Sequence, residues 1–305
     1  MLFGLELRKQ FENEAKSLTK VNEEALFEAL ARAFGNLSSH SATKCEVIHG
    51  GKSFVDFSEI GSNSFFYKKD QGKIVRCELA DLLFVVVSSS EMRVCCLQNK
   101  YEKSRKNRMG VGENFKANMR QFYLLNKRPT FTRDGIKYDL LENAKCPSVA
   151  SYGVFYGDND TFDMNYYSAE ILQGCTPSAK GNFRKIEMKC GTSQFANRGL
   201  PGEKIVELQY ADGIVDFGDG LQSMIIGTPL PLKLGLLAIA DMHIIDSVEK
   251  IIEVNTETFS SIREEIEGKQ QNAFYRKAVV IKGNEREQDY IKARMQESSD
   301  WHRNY

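Results

Sequence analysis

Apolar residues recur at two different spacings along the first half of the chain, and the change of spacing marks the predicted elements. Between Val21 and Gly35 they recur every three or four positions, which is the periodicity of an amphipathic helix. Asn22 suits the N-cap position, and Glu23 and Glu24 suit the first turn, where negative charge is favourable. The pattern therefore predicts a helix that begins after Asn22 and ends at Gly35.

Three segments after this helix have the pattern of β-strands. They are NSFFYKK at 63–69, KIVRCELADLLFVVV at 73–87 and MRVCCLQNK at 92–100. The uninterrupted apolar run at 82–87 indicates a strand that is covered on both faces. A polar turn at 88–91 separates the last two segments, so we predict that they pair as an antiparallel hairpin.

Further helices and strands follow along the chain. An apolar stripe that includes Phe115, Met119 and Phe122 predicts a helix over 112–127. Segments 148–158 and 161–172 have strand patterns and are predicted to form a second hairpin, and 243–269 is predicted to be helical with a weak point near Asn255. This order of elements is typical of a mixed α/β fold.

The composition changes near Thr176-Pro177-Ser178, where Gly and polar residues become frequent. This change predicts two parts, 1–178 and 179–305, the second being an α+β extension. The alternative of one continuous domain stays open, because the length of 305 residues fits either arrangement.

Composition and charge narrow the class of protein. The chain is 42% hydrophobic and 27% charged with a net charge of zero, which is typical of a globular protein. The seven cysteines form no CxxC pair and the four histidines are scattered, so neither a disulfide framework nor a zinc site is expected. The N-terminus carries charge too early for a signal peptide, and no apolar run approaches the roughly 20 residues that span a bilayer. We therefore expect a cytoplasmic protein that is not in a membrane.

Polar residues at the ends of the first predicted hairpin are the candidate chemistry. Asp81 lies where one apolar run begins, and Gln98 and Lys100 lie where the next one ends. Antiparallel pairing brings these ends together, and residues two apart in a strand share a face. A carboxylate and an amide oxygen are ligands for a hard cation such as Mg²⁺, and the ammonium group can stabilise charge on a phosphate. An exposed Asp–Lys ion pair is the plain structural alternative.

A concentration of basic residues follows this hairpin. Between Gln98 and Arg133 there are ten basic and two acidic residues in a chain of zero net charge. Such local asymmetry is what binding to a phosphate backbone requires, although a solvated basic face gives the same count. The residues predicted to bind nucleic acid are Lys103, Arg105, Lys106, Arg108, Lys116 and Arg120.

Asp81 followed by Gln98-Asn99-Lys100 resembles the active-site motif of the PD-(D/E)XK nuclease superfamily. More narrowly it is similar to the D…QxK branch of Mrr-like restriction endonucleases, in which Gln replaces the second carboxylate. The resemblance implies a restriction-endonuclease-like core at 1–178, with a mixed sheet flanked by helices. The family pattern has Pro before the Asp, whereas this chain has Ala80.

The resemblance also implies function and site residues. It implies a metal-dependent DNA endonuclease that uses Mg²⁺, or Mn²⁺ in its place, and that acts in restriction or anti-phage defence. Asp81, Gln98 and Lys100 would be catalytic, with Asp81 and Gln98 as metal ligands. A Glu of the first helix completes the family site, and Glu24 is the best match, with Glu23 and Glu28 as rivals. Glu78 could also reach the metal through a β-bulge.

Alternatives from other classes remain open at the level of sequence. One is a non-catalytic binding or scaffold protein that keeps a degenerate nuclease fold. Another is a nuclease subunit that acts only in a defence complex, with 179–305 as the docking part. The sequence also leaves open a homo-oligomer and the choice between DNA and RNA.

Overall fold

The computed structural model describes most of the chain. The described residues are 3–37, 44–47, 54–58, 73–103, 114–127, 130–133, 135–138, 150–158, 161–174, 185–190, 194–198, 205–239, 242–252, 256–267 and 275–303. Among them, no helix has both the length and the apolar character needed to cross a membrane.

The helices of the described ranges cover both ends of the chain. They are α1 (Phe3–Lys16), α2 (Glu23–Asn36), α3 (Met119–Lys127), α4 (Gly213–Gln222), α5 (Leu232–Ile239), α6 (Met242–Ile252), α7 (Thr256–Ile266) and α8 (Gln288–Arg303). The helix predicted from Asn22 to Gly35 is confirmed as α2, with the Asn22 side chain accepting a hydrogen bond from the Ala25 N–H. Helix α1 was not predicted. The helical prediction at 243–269 corresponds to α6 and α7.

The strands lie in one large and three small sheets. They are β1 (Lys44–Val47), β2 (Phe54–Ser58), β3 (Ile74–Glu78), β4 (Ala80–Val87), β5 (Glu91–Tyr101), β6 (Asn114–Asn118), β7 (Phe131–Arg133), β8 (Ile136–Tyr138), β9 (Ala150–Asp158), β10 (Thr161–Ser168), β11 (Leu172–Gly174), β12 (Lys185–Cys190), β13 (Phe195–Arg198), β14 (Ile205–Leu208), β15 (Tyr210–Ala211), β16 (Thr228–Pro231) and β17 (Tyr275–Lys282). Two short 3₁₀ turns, Ala169–Ile171 and Glu285–Glu287, complete the described elements.

The central sheet is mixed and has eight strands in the order β1-β17-β4-β5-β9-β10-β15, with β16 paired to β5. The predicted hairpins are confirmed, because β4 pairs antiparallel with β5 and β9 pairs antiparallel with β10. Strand β17 runs parallel to β4, and β9 runs parallel to β5. The molecule is therefore a mixed α/β protein with a mixed sheet between helices.

Every residue of β4 is buried, as its unbroken apolar run predicts. Leu83, Val85 and Val87 belong to a core that α3, α5, α6 and α7 cover. The alternate residues of the strand pack into a second core with α1, α2 and α4. The sheet is thus covered on both faces, which explains why this run shows no polar alternation.

Strand β17 joins the two predicted parts of the chain. It lies between β1 and β4 in the central sheet, with Ala278 opposite Leu83. The sheet therefore contains strands from both sides of the predicted boundary at 178. The predicted first strand at 63–69 lies outside the described residues, and within the described part β4 has β17 and β5 as its neighbours.

Two sequence predictions need correction. The segment 73–87 is not one strand, because the chain leaves β3 at Glu78 and enters β4 at Ala80, and the two strands lie in different sheets. The first part of the helix predicted over 112–127 is strand β6, and only the part from Met119 is helical. Phe115 and Ala117 are buried and alternate with less buried residues, as in a strand, and β6 pairs with β12. The spacing of the apolar residues fits a helix as well, so the sequence pattern did not reveal this strand.

Candidate active site

Strands β4 and β5 bring the three predicted catalytic residues together. Leu82 pairs with Leu97, so the antiparallel register continues to put Asp81 beside Gln98. Asp81 lies on the same side of β4 as Leu83, and Gln98 and Lys100 extend from the same side of β5 as Cys96, because side chains alternate along a strand. The Nε2 of Gln98 lies 2.6 Å from Oδ2 of Asp81.

A chain of hydrogen bonds fixes the orientation of the Gln98 amide. Gln121 of α3 donates from Nε2 both to the backbone carbonyl of Glu78, at 3.0 Å, and to Oε1 of Gln98. A backbone carbonyl can only accept, so the Gln121 amide can face it only with its nitrogen. Gln98 must then present its oxygen to Gln121 and its nitrogen to Asp81. An amide oxygen has two lone pairs, so direct metal ligation by the Gln98 oxygen, as predicted, would have to use the lone pair that Gln121 leaves free.

The Asp81 carboxylate is buried and receives several donors. Besides Gln98, the N–H of Asn99 donates to Oδ2 at 2.9 Å and the Asn99 amide lies 3.4 Å from the same oxygen. Burial raises the pKa of Asp81, while the Asn99 N–H, Lys100 and Arg276 oppose the rise and Glu23 adds to it. The donors around Oδ2 therefore offset part of the cost of keeping this carboxylate ionised.

Lys100 is held at the end of β5 by two oxygen atoms. Its Nζ lies 2.6 Å from the backbone carbonyl of Asn99 and 2.9 Å from Oε1 of Glu23. The Lys100 side chain is 13% exposed, whereas Glu23 is 46% exposed. The helix residue that contacts the predicted catalytic lysine is thus Glu23, one of the two predicted rivals of Glu24.

The other glutamates of α2 contact β17. Glu24 pairs with Arg276 at 2.9 Å, and Glu28 pairs with Lys277. The Arg276 guanidinium also lies 5.0 Å from the centre of the Phe27 ring, within the range of a cation–π contact. The described contacts of Glu24 therefore tie the first turn of α2 to the last strand of the sheet.

Asp81, Gln98, Lys100, Glu23 and Arg276 line one cleft of about 860 Å³. Its lining includes Glu23, Glu24, Phe27, Phe54, Arg76, Glu78, Asp81, Gln98, Lys100, Tyr101, Glu102, Lys103, Lys116, Arg120, Gln121 and Arg276. Six basic side chains and five carboxylates share this lining, and one of the carboxylates, Glu102, accepts a hydrogen bond from the N–H of Lys116. The cleft thus joins the predicted catalytic residues to part of the predicted nucleic-acid surface.

The predicted nucleic-acid-binding residues divide into two groups. Lys103, Lys116 and Arg120 line the cleft. Arg105, Lys106 and Arg108 lie outside the described residues. The basic surface that the structure describes is therefore contributed by β6, α3 and the residues after β5.

Among the cleft residues that sequence reasoning missed, Gln121 and Arg276 have described contacts with the predicted site residues. Gln121 lies in the stretch whose strand-to-helix change was mispredicted, and Arg276 comes from a strand almost 180 positions from Gln98 along the chain. No local pattern links either residue to Asp81. One signal could have pointed to Arg276: the basic pair Arg276-Lys277 stands at the start of an apolar strand, just as Lys100 stands at the end of one.

The described residues of the cleft could provide Mg²⁺ with few protein ligands. Among the described residues, no three His, Cys, Asp or Glu side chains are grouped closely enough to enclose a metal ion. Mg²⁺ commonly binds through one or two carboxylates and completes its shell with water and phosphate oxygens. Asp81 offers one such carboxylate, since the hydrogen bonds named above all go to Oδ2 and none of them to Oδ1.

Comparisons with known proteins give no relative on which to base an assignment. No family model, curated protein or solved structure matches this chain. Function therefore has to be inferred from the residues of the cleft.

Proposed function

We propose that the protein is a metal-dependent DNA endonuclease that hydrolyses phosphodiester bonds at the Asp81 end of the cleft. The observation that carries the proposal is the convergence of Asp81, Gln98 and Lys100 in a cleft that continues along basic residues. A buried carboxylate near an ammonium group, in a cleft lined by six basic and five acidic side chains, suits a hard cation that is held together with an anionic backbone.

The chain's own residues divide the work. Lys100 provides positive charge where the transition state of phosphodiester hydrolysis gains negative charge, and its contact with the Asn99 carbonyl holds it in place. Gln98 positions the Asp81 carboxylate, and Gln121 positions Gln98. Lys103, Lys116 and Arg120 attract and orient the backbone through phosphate contacts.

Asp81 would be the protein ligand of Mg²⁺, or of Mn²⁺, with Glu23 or Glu24 as the nearest further carboxylates of α2. When bound, such an ion supplies neutralising charge and a more acidic water molecule. The limited donor set agrees with an ion that is shared between the protein and the substrate phosphate, rather than one enclosed by protein alone.

The assignment to the PD-(D/E)XK superfamily is part of the proposal. It is supported by the D…QxK arrangement on adjacent antiparallel strands and by a glutamate of a preceding helix at the lysine. Ala80 in place of Pro and the parallel strand β17 beside β4 are departures from the expected pattern. A role in restriction or phage defence, alone or with a protein partner, rests on analogy with the family.

A non-catalytic nucleic-acid-binding protein is the second candidate. Two observations favour it: the described residues include no three-group metal cluster, and the Gln98 oxygen is engaged by Gln121. Such a protein would keep the basic cleft and bind DNA without cutting it.

Nicking of supercoiled plasmid separates the two candidates. We expect the protein to nick plasmid with Mg²⁺ and not with EDTA, and we expect Asp81→Ala to remove the activity. Lys277→Ala is the control, because Lys277 is a nearby lysine on β17 that does not line the cleft. If the protein binds DNA but does not cleave it with Mg²⁺ or with Mn²⁺, the binding protein is favoured and the enzyme is refuted.

A further inference from the structure

Two cations lie at the Asp81 end of the cleft, and each is paired with one of two consecutive glutamates. Lys100 Nζ is 2.9 Å from Glu23 Oε1, and Arg276 Nη2 is 2.9 Å from Glu24 Oε1. All four side chains line the cleft. The first turn of α2 thus holds carboxylates against both cations from the solvent side.

The two partners of each pair differ in how firmly they are held. Lys100 and Arg276 are 13% and 18% exposed, whereas Glu23 and Glu24 are 46% and 67% exposed. Arg276 packs over the Phe27 ring, and Lys100 donates to a backbone carbonyl. The cations are therefore set in place by the fold, and the carboxylates are the partners that can be exchanged.

The exposure of the glutamates and the geometry of the arginine both favour replacement of these carboxylates by a phosphate. Glu23 and Glu24 are the exposed partners of these pairs, so either carboxylate can turn into water when a phosphate takes its place beside the cation. The guanidinium group of Arg matches two phosphate oxygens at once, whereas the Nη2 of Arg276 contacts Glu24 at 2.9 Å and lies 4.0 Å from Oε1 of Glu28. Asp81 and Glu78 also interact electrostatically with Arg276. Because these carboxylates repel an anion at the same place, removal of any one of them should increase the affinity of the site for phosphate.

We propose that Arg276, together with Lys100, binds a phosphate of the nucleic-acid backbone, and that Glu23 and Glu24 occupy this anion site until the backbone displaces them. The proposal rests on the proposed nucleic-acid function and adds a residue of the C-terminal strand to it. Glu24 is then a competitor of the substrate in the free protein, rather than only a candidate metal ligand.

The test is the affinity for a short fluorescein-labelled DNA duplex, measured by anisotropy in EDTA, so that no metal and no cleavage contribute. Arg276→Ala should weaken binding about tenfold or more, because a hydrogen bond to a charged group contributes about 1.5–3 kcal/mol. Glu24→Gln should strengthen binding by up to about fivefold, because it removes the competitor. The slope of log affinity against log salt should fall by about one unit in Arg276→Ala.

Matched controls remove the same charges from outside the cleft. Lys277→Ala is next to Arg276 on β17, and Glu267→Gln is an exposed residue after α7. Both should leave the affinity within about twofold of the unaltered protein, since neither residue lines the cleft. Glu24→Gln keeps Arg276 and its packing on Phe27, so the inference stays testable even if Arg276→Ala does not fold.

The outcomes separate this inference from the proposed function. If the unaltered protein binds DNA and Glu24→Gln gives no gain in affinity, the anion site is not held by Glu24, and the nuclease proposal still stands. If Arg276→Ala is folded and binds as tightly as the unaltered protein, Arg276 is no phosphate ligand. If the unaltered protein binds no DNA in EDTA, the anion-site inference fails, whereas the proposed function is decided by nicking with Mg²⁺.

Discussion

At the scale of residues, the cleft depends on polar groups that fix one another's orientation. Each polar side chain around Asp81 has a neighbour that can only accept or only donate: a backbone carbonyl for Gln121, a carboxylate for Gln98, and a carbonyl and a carboxylate for Lys100. This ordering sets which atoms face the cleft before a ligand arrives, which is the condition for electrostatic catalysis.

Lys100→Ala tests the division between chemistry and folding. We expect cleavage to fall by about 10²–10³, the usual cost of one lost transition-state stabiliser. The free energy of unfolding should change by about 1 kcal/mol or less, since the partner Glu23 is 46% exposed. The checks are the rate of plasmid nicking and the unfolding midpoint in denaturant. Unfolding of the variant, or undiminished cutting, would contradict a catalytic role for this lysine.

Gln121→Leu tests the hydrogen-bond chain behind Asp81. Two buried acceptors, the Glu78 carbonyl and the Gln98 side-chain oxygen, lose the donor described for them. We expect a loss of about 1–3 kcal/mol in the free energy of unfolding, which is the usual cost of an unsatisfied buried group. Gln296→Leu is the control, because Gln296 is exposed on α8. Equal midpoints for the two variants in urea would show that Gln121 positions nothing.

At the scale of elements, the terminal helices are joined to the core by buried charges. Asp216 and Asp219 of α4 both pair with Arg294 of α8, and Asp219 also accepts from the Gly4 N–H of α1. Asp219 is 2% exposed. Three helices that are distant in sequence therefore meet at one acidic pair and one arginine, which makes their packing sensitive to ionisation.

Stability should depend on pH through Asp216. Burial raises its pKa from the ordinary 3.8 to about 6, against the opposing effect of Arg294. A carboxyl group with a raised folded-state pKa binds its proton more tightly in the folded protein, so its stabilisation is complete below 3.8 and is lost as the pH rises through about 6. The loss over this window is on the order of 1–3 kcal/mol.

Denaturation of the unaltered protein and of Asp216→Asn at several pH values measures this effect. Relative to Asp216→Asn, the unaltered protein should become less stable as the pH rises through the window. Asp246→Asn is the control, because Asp246 also pairs with an arginine but is 48% exposed. Parallel pH profiles for the unaltered protein and Asp216→Asn would contradict the raised pKa.

Residue spacing and turn residues were sufficient to predict helix α2 and the hairpin of β4 and β5. The hairpin is itself sufficient to bring Asp81 to Gln98 and Lys100. Helix α1 was missed although Phe3, Leu7, Phe11 and Ala15 recur every four residues, because the N-terminus was considered only as a targeting signal.

Long-range pairing was beyond the reach of local pattern. Strand β6 reads as part of a helix because its partner β12 lies about 70 positions later, and only that pairing selects a period of two. Arg276 and Gln121 enter the cleft through β17 and α3, whose positions depend on the whole fold. The roles of the three predicted catalytic residues stay predictions until cleavage is measured.

At the scale of the whole molecule, a chain of zero net charge places six basic and five acidic side chains around one cleft. Lys103, Lys116 and Arg120 line this cleft, and Lys116 donates its backbone N–H to Glu102. A DNA duplex that contacts them releases counterions, which makes affinity depend on salt.

Replacing Lys103, Lys116 and Arg120 together with Ala should flatten this dependence. The slope of log affinity against log salt should decrease in magnitude by up to about 0.9 for each lost phosphate contact. A control that replaces the exposed Lys9, Lys233 and Lys250 removes equal charge from elsewhere and should leave the slope nearly unchanged. The measurement is a salt series of DNA binding. An unchanged slope in the cleft variant would mean that this basic surface is only solvated.

The position of β17 has a consequence for synthesis on the ribosome. Strands β4 and β5 emerge early, but the strand that covers the free edge of β4 and carries Arg276 is made only after residue 275. Until then the nascent chain presents an open, apolar strand edge, which is prone to pair with other chains and to attract chaperones. A complete cleft forms only when translation has passed Lys282, so a half-made chain that already holds Asp81, Gln98 and Lys100 still lacks Arg276.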